Sequence, residues 1–140
     1  MKIQNGSIIP GVSISDIKLG ITKKDLLKII EGNYQEKMLK RGLIIIIENA
    51  KIWIAEDGKV DQIGVEGDFQ GKYKGVIGLG STLCDVKEKI GNYIQNYDTY
   101  ELENIKGICF ELEDIEDWDQ LKAPIDHIYV FRITENDSFA

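Results

Sequence analysis

Apolar residues recur along the chain in two spacings. Leu26, Leu27, Ile29 and Ile30, and later Leu83, Val86 and Ile90, follow the three-to-four-residue step that lays one apolar stripe along a helix. Thr22 and Thr82 stand just ahead of these stripes, with Asp25 and Asp85 three places on. A threonine hydroxyl accepts from the unpaired N–H groups of a first turn, and a carboxylate there meets the positive end of the helix dipole. Gly32 and Gly91 suit the turns that follow. The pattern predicts two short helices.

Elsewhere the apolar residues are β-branched or aromatic and come in short runs. Leu43 to Glu48, Ile52 to Ala55, Val60 to Glu66, Gly107 to Glu113 and Ile125 to Val130 are predicted strands, and "EDGK" (Glu56 to Lys59) holds the Asp-Gly pair of a hairpin turn. The carboxylate-rich "DIEDWDQLKA" (Asp114 to Ala123) reads as a loop or weak edge strand, and "NYIQNYDTYELEN" (Asn92 to Asn104) as an inserted loop. Asp68 to Val76 is a linker in which Tyr73 and Val76 suit a strand. The polar end, "TENDSFA" (Thr134 to Ala140), is expected to fray.

The two halves echo one another. "IKLGITKKDL" (Ile17 to Leu26) matches "IGLGSTLCDV" (Ile77 to Val86) at a spacing of sixty, bringing Gly20 to Gly80, Thr22 to Thr82 and Asp25 to Asp85. A spacing of sixty-five then aligns "GLIIIIE" (Gly42 to Glu48) with "GICFELE" (Gly107 to Glu113), Trp53 with Trp118, and "VDQIGV" (Val60 to Val65) with "IDHIYV" (Ile125 to Val130). The expected architecture is α+β: two tandem helix-plus-antiparallel-sheet repeats, about 8–69 and 73–133, in one domain spanning 1–140. "GLGST" invites comparison with a phosphate cradle, but it lacks a third glycine and the Gly-Lys-Ser/Thr ending of a P-loop. The repeated Gly-x-Thr reads instead as a tight strand-to-helix turn capped by the hydroxyl.

Composition narrows the function classes. No apolar run reaches the ~18–20 residues of a membrane span, and "MKIQNGSIIP" lacks the apolar stretch of a signal peptide, so a cytoplasmic protein without a membrane partner is expected. Cys84 and Cys109 fall in patterned segments without C-x-x-C spacing and are expected reduced and buried. The net charge of −7 lies wholly in the second half: residues 1–70 carry ten basic and ten acidic side chains, residues 71–140 seven and fourteen. That imbalance argues against nucleic acid and toward a basic protein surface.

No constellation for chemistry emerges. His127 is the sole histidine and reads as a surface or interface residue, and no serine sits in a nucleophile elbow, so no catalytic residue is assigned. "ELEDIEDWDQ" (Glu111 to Gln120) lacks the glycine-centred spacing of a calcium loop, so neither metal nor cofactor is expected. A solvated charged edge that keeps other strands from adding is one reading, and a docking surface is the sharper alternative. Glu111, Glu113, Asp114, Glu116, Asp117 and Asp119 supply charge around Trp118, with Tyr97, Asp98 and Tyr100 from the inserted loop as further contacts. Trp118 aligns with Trp53, and a duplicated tryptophan also suits a core.

The paired "I-x-L-G-x-T-x-x-D-[LV]" motifs followed by strands resemble the tandem units of the beta-lactamase inhibitor protein and of small outer-membrane assembly lipoproteins. "IGLGSTLCDVKEKIG", "GICFELED" and "PIDHIYVF" resemble small bacterial immunity proteins of polymorphic or contact-dependent growth-inhibition toxin systems. The resemblance spans Ile17 to Ile133. It implies a protein without catalytic residues that neutralises a cognate toxin C-terminal domain with a basic surface, often a nuclease, by docking on it. The alternative is a small-ligand-binding or assembly module of the same repeat fold.

Overall fold

The computed structural model describes residues 3–30 and 32–133, so the expected fraying of Thr134 to Ala140 lies outside the described residues. Three two-residue strands open the chain: β1 (Ile8–Ile9), β2 (Ser13–Ile14) and β3 (Ile17–Lys18). Helix α1 (Lys23–Ile29) leads into β4 (Gln35–Met38), β5 (Leu43–Ile47), β6 (Ala50–Ile54) and β7 (Val60–Val65). Helix α2 (Leu83–Lys89) leads into β8 (Tyr93–Asn96), β9 (Thr99–Leu102), β10 (Ile108–Leu112) and β11 (Ile125–Phe131). The first three strands form a small sheet; the other eight form one antiparallel sheet in the order β4-β5-β6-β7-β11-β10-β9-β8.

This overturns the α+β expectation. With 38% strand against 11% helix, the protein is mostly β, built on one continuous eight-stranded sheet plus a three-stranded one, and is not a pair of helix-plus-sheet repeats. The spacing of sixty-five fails in particular at Gly42 to Glu48. Leu43–Ile47 lies one strand in from its sheet edge, whereas Ile108–Leu112 lies two strands in from the other edge, against β11. Runs such as "LIIII" and "ICFEL" match because apolar residues of this kind suit any strand, whatever its place in the sheet.

The local signals fared better than the global one. The Thr22 and Thr82 hydroxyls each accept the N–H three residues on, at 3.2 Å. Only Asp85 returns the bond, accepting the Thr82 N–H at 3.0 Å; this lowers its pKa and completes a capping box that α1 lacks. Gly20 and Gly80 have φ of +87° and +91° with open space where a Cβ would stand, so conformation rather than crowding requires glycine. "GLGST" is no anion cradle. The Gly80 N–H donates to the Ile125 carbonyl at 2.8 Å, and the Gly78 N–H to the Ser81 hydroxyl at 3.1 Å.

The core lies on one face of the large sheet. Ile45, Ile52, Ile63, Phe110, Ile128 and Val130 project from it onto Leu26 of α1, Leu83 and Val86 of α2, and Ile8, Ile14 and Ile17 of the small sheet. Each such side chain contributes about 1.5–3 kcal/mol when fully buried. The alternate residues, among them Trp53, His127 and Tyr129, occupy the opposite face and are half-buried.

Several strands gave no sequence signal. "QEKM" of β4 has no apolar alternation and all four residues are exposed, as suits an edge. The two-residue strands β1–β3 are too short for a period to show. Asp68 to Val76 holds only isolated bridges, at Tyr73.

Candidate functional site

The expected loop is present. Between β10 and β11 the chain runs without strand from Glu113 to Pro124, and residues 113–119 carry five carboxylates and no basic side chain. Asp117 takes a left-handed turn, φ +57°, and Trp118 beside it is 47% exposed. Asp119 folds the end of the loop: its carboxylate accepts the Leu121 N–H at 2.9 Å, and its carbonyl accepts from Lys122 and Ala123. Glu113, Asp114, Glu116, Asp117 and Asp119 are all exposed.

The expected inserted loop, Asn92 to Asn104, is instead an antiparallel hairpin of β8 and β9. Its two-residue turn is Tyr97-Asp98, with Tyr97 at φ +57°, the left-handed region a tight hairpin demands. Tyr97 is 91% exposed and Asp98 is exposed beside it. Tyr100 is not a surface anchor. It is 3% exposed and meets Tyr93 edge to face, with centroids 6.0 Å apart.

Gln120 joins loop to hairpin. Its Oε1 accepts the Tyr93 hydroxyl at 3.0 Å, and its Nε2 donates to Gln95 Oε1 at 3.0 Å and to the Tyr100 hydroxyl at 3.4 Å. Gln95 Nε2 donates in turn to the Tyr97 carbonyl at 3.1 Å. This amide relay ties the loop that carries Trp118 to the turn that carries Tyr97. Sequence reading missed it; its one visible trace is an uncharged Gln120 closing a run of carboxylates.

Glu111 stands apart from the loop. It projects from β10 on the open sheet face, opposite His127. Burial first, and then the hydrogen bond with Glu111, push the Tyr129 hydroxyl well above its ordinary range. Trp53, Tyr129 and His127 form a row there: Trp53 meets Tyr129 edge-on at 6.0 Å, and Tyr129 stacks on His127 at 5.9 Å. Gly64 makes room, since a Cβ on it would lie 2.6 Å from the Tyr129 ring. His127 bonds Asp126 through Nδ1 and Glu66 through Nε2, both at 2.8 Å. Burial pulls its pKa down, but the bonds to Asp126 and Glu66 outweigh this and raise it.

Neither cysteine forms a disulfide. Cys84 is exposed, contrary to expectation, because it lies on the solvent side of α2, where the neighbouring Glu88 charge raises its pKa. Cys109 is partly covered on β10, and burial pushes it up to about 12. Among the described residues, no cluster of three His, Cys, Asp or Glu side chains could hold a metal ion. A depression of about 530 Å³ lies between the Gly67 to Gln70 turn and the start of β11, lined by Phe69, Leu79, Glu113, Pro124 and Asp126. It is a shallow feature of mixed polarity.

No protein-family model and no curated protein matches the chain. Among solved structures it is similar to the uncharacterized protein YfeY from Escherichia coli, with a TM-score of 0.55 and 12% identity over 92% of this chain and 99% of that one. At that identity the likeness concerns the fold alone. No helix among the described residues is long and apolar enough to cross a membrane.

Proposed function

We propose that this chain is an immunity protein of the bacterial cytoplasm, which neutralises a cognate toxin domain by docking on it and performs no reaction of its own. One observation supports the reading most: Trp118 and Tyr97 stand exposed among carboxylates, and the Gln120 relay ties the segments that carry them to one frame. Holding these two segments in one frame in advance lowers the entropy lost on association. A cleft that holds nucleic acid is basic, so the carboxylates of Glu113 to Asp119 would stand where phosphates lie, setting the on-rate while the aromatics slow departure.

The test is co-purification with the toxin domain encoded beside the gene, followed by kinetics. Reversing Glu116, Asp117 and Asp119 to lysine is expected to lower the association rate by about tenfold or more and to flatten its salt dependence. An association rate and salt slope unmoved by the triple reversal would remove this surface from the contact.

A further inference from the structure

The two edges of the large sheet are unlike. On β4, Glu36 and Lys37 place charge along the edge, and Glu36 pairs with Lys23. Such charge discourages another strand from adding there. On β8, "YIQN" carries no charge and no proline, and Ile94 is 48% exposed. The Glu103 N–H bond to the Asn92 carbonyl and the pairing of Ile94 with Glu101 assign the ladder bonds of this hairpin to Asn92, Ile94 and Asn96. The N–H and C=O groups of Tyr93 and Gln95 therefore face away from β9. Among the described residues, no strand pairs with that side.

The flanks of the edge are also built differently. On one flank a groove of about 430 Å³ runs past Ile94, Phe131 and Ile133, with Glu101 and Glu103 at its wall and Lys106 as its one cation. On the other flank stands the Gln120 relay with Asp119 and Trp118 beyond it, and Asp98 closes the end of the hairpin.

Resting on the docking reading above, we propose that β8 is where the partner is held: an extended basic segment of the toxin domain adds to the sheet as a ninth strand. Its backbone pairs with Tyr93 and Gln95, its apolar side chains turn to the groove beside Ile94, and its alternate basic side chains turn to the Gln120 flank toward Asp119, with Asp98 at the end of the hairpin and Glu101 and Glu103 adding to the negative field. Charge selects this occupant over a second copy of the chain. Pairing β8 with itself would bring two such sets of carboxylates together in a protein of net charge −7.

The test uses amide hydrogen exchange of the whole chain with an eight-residue peptide of alternating valine and lysine, and a valine–glutamate peptide as control. The lysine peptide is expected to slow exchange at Tyr93 and Gln95 by about tenfold or more, leaving Glu36 and Met38 on the β4 edge unchanged. Gln95→Pro removes an outward N–H and should abolish binding, whereas Gln95→Ala loses only that side chain's two relay bonds, keeps the N–H and should still bind. Should the proline variant unfold, exchange on the native chain decides. Protection at β4, equal protection by the glutamate peptide, or protection that rises with the chain's own concentration would each overturn the proposal. If the edge takes the lysine peptide but the neighbouring toxin does not bind, the immunity reading falls and the edge stands. If the toxin binds without protecting Tyr93 and Gln95, the edge falls and the immunity reading stands.

Discussion

Trp53 and Trp118 lie sixty-five residues apart, between segments that match at the same spacing, and the fold treats them in opposite ways. Trp53 is held on a strand, half-buried, edge-on to Tyr129 and over the space that Gly64 leaves. Trp118 stands on a loop with nearly half its surface in solvent, between two carboxylates. Their flanks explain the difference. "AKIWI" alternates apolar residues onto the core, whereas "DIEDWDQ" cannot do so without burying charge. One tryptophan therefore serves the sheet, and the other stays on the surface.

The largest effect expected from breaking this comparison is on stability. Trp53→Ala should cost about 2 kcal/mol, less than the ~3–5 of a fully buried ring, while Trp118→Ala should stay within ~0.5 kcal/mol. Urea unfolding midpoints measure both, and equal losses would erase the distinction. The same contrast extends to the helices. Thr82→Ala and Thr22→Ala should each cost about 1 kcal/mol, with Thr82 the more costly because it alone belongs to a capping box. Below pH 4 that difference should shrink: Asp85 has a depressed pKa, so its contribution is present above the ordinary 3.8 and lost as pH falls through the folded value.

The smallest effect belongs to His127, at the other end of the aromatic row from Trp53. Its pKa is raised in the folded protein, so its contribution is full below the ordinary 6.5 and lost as pH rises through the folded value. Thermal melts should fall slightly as pH rises above 6.5 in the native protein, and His127→Gln should flatten that slope. A slope unchanged in the variant would mean that Asp126 and Glu66 do not hold the imidazolium.

The helix starts were legible because capping is local: Thr22 and Thr82 act on N–H groups three residues away. β5, β7 and β11 were legible because short runs rich in β-branched residues, Leu43–Ile47, Val60–Val65 and Ile125–Phe131, favour strands by their local composition. The hairpin at Tyr97-Asp98 was not, since its turn uses neither Asn-Gly nor Asp-Gly and three of the four β8 residues are exposed. At the candidate site the carboxylates and Trp118 were legible as composition. That Glu111 lies on another face and that Tyr100 is buried depended on strand direction, which composition does not carry.

The sequence by itself determined where helices begin, which runs become strands with one buried face, and that charge gathers in the second half, because each depends on neighbours within a few residues. Only the tertiary structure decided that eight strands join in one sheet through β7 and β11, that the fold is mostly β, and that the two edges differ. Strand partners are chosen by long-range backbone pairing, and every half-buried strand offers the same alternating face to that choice.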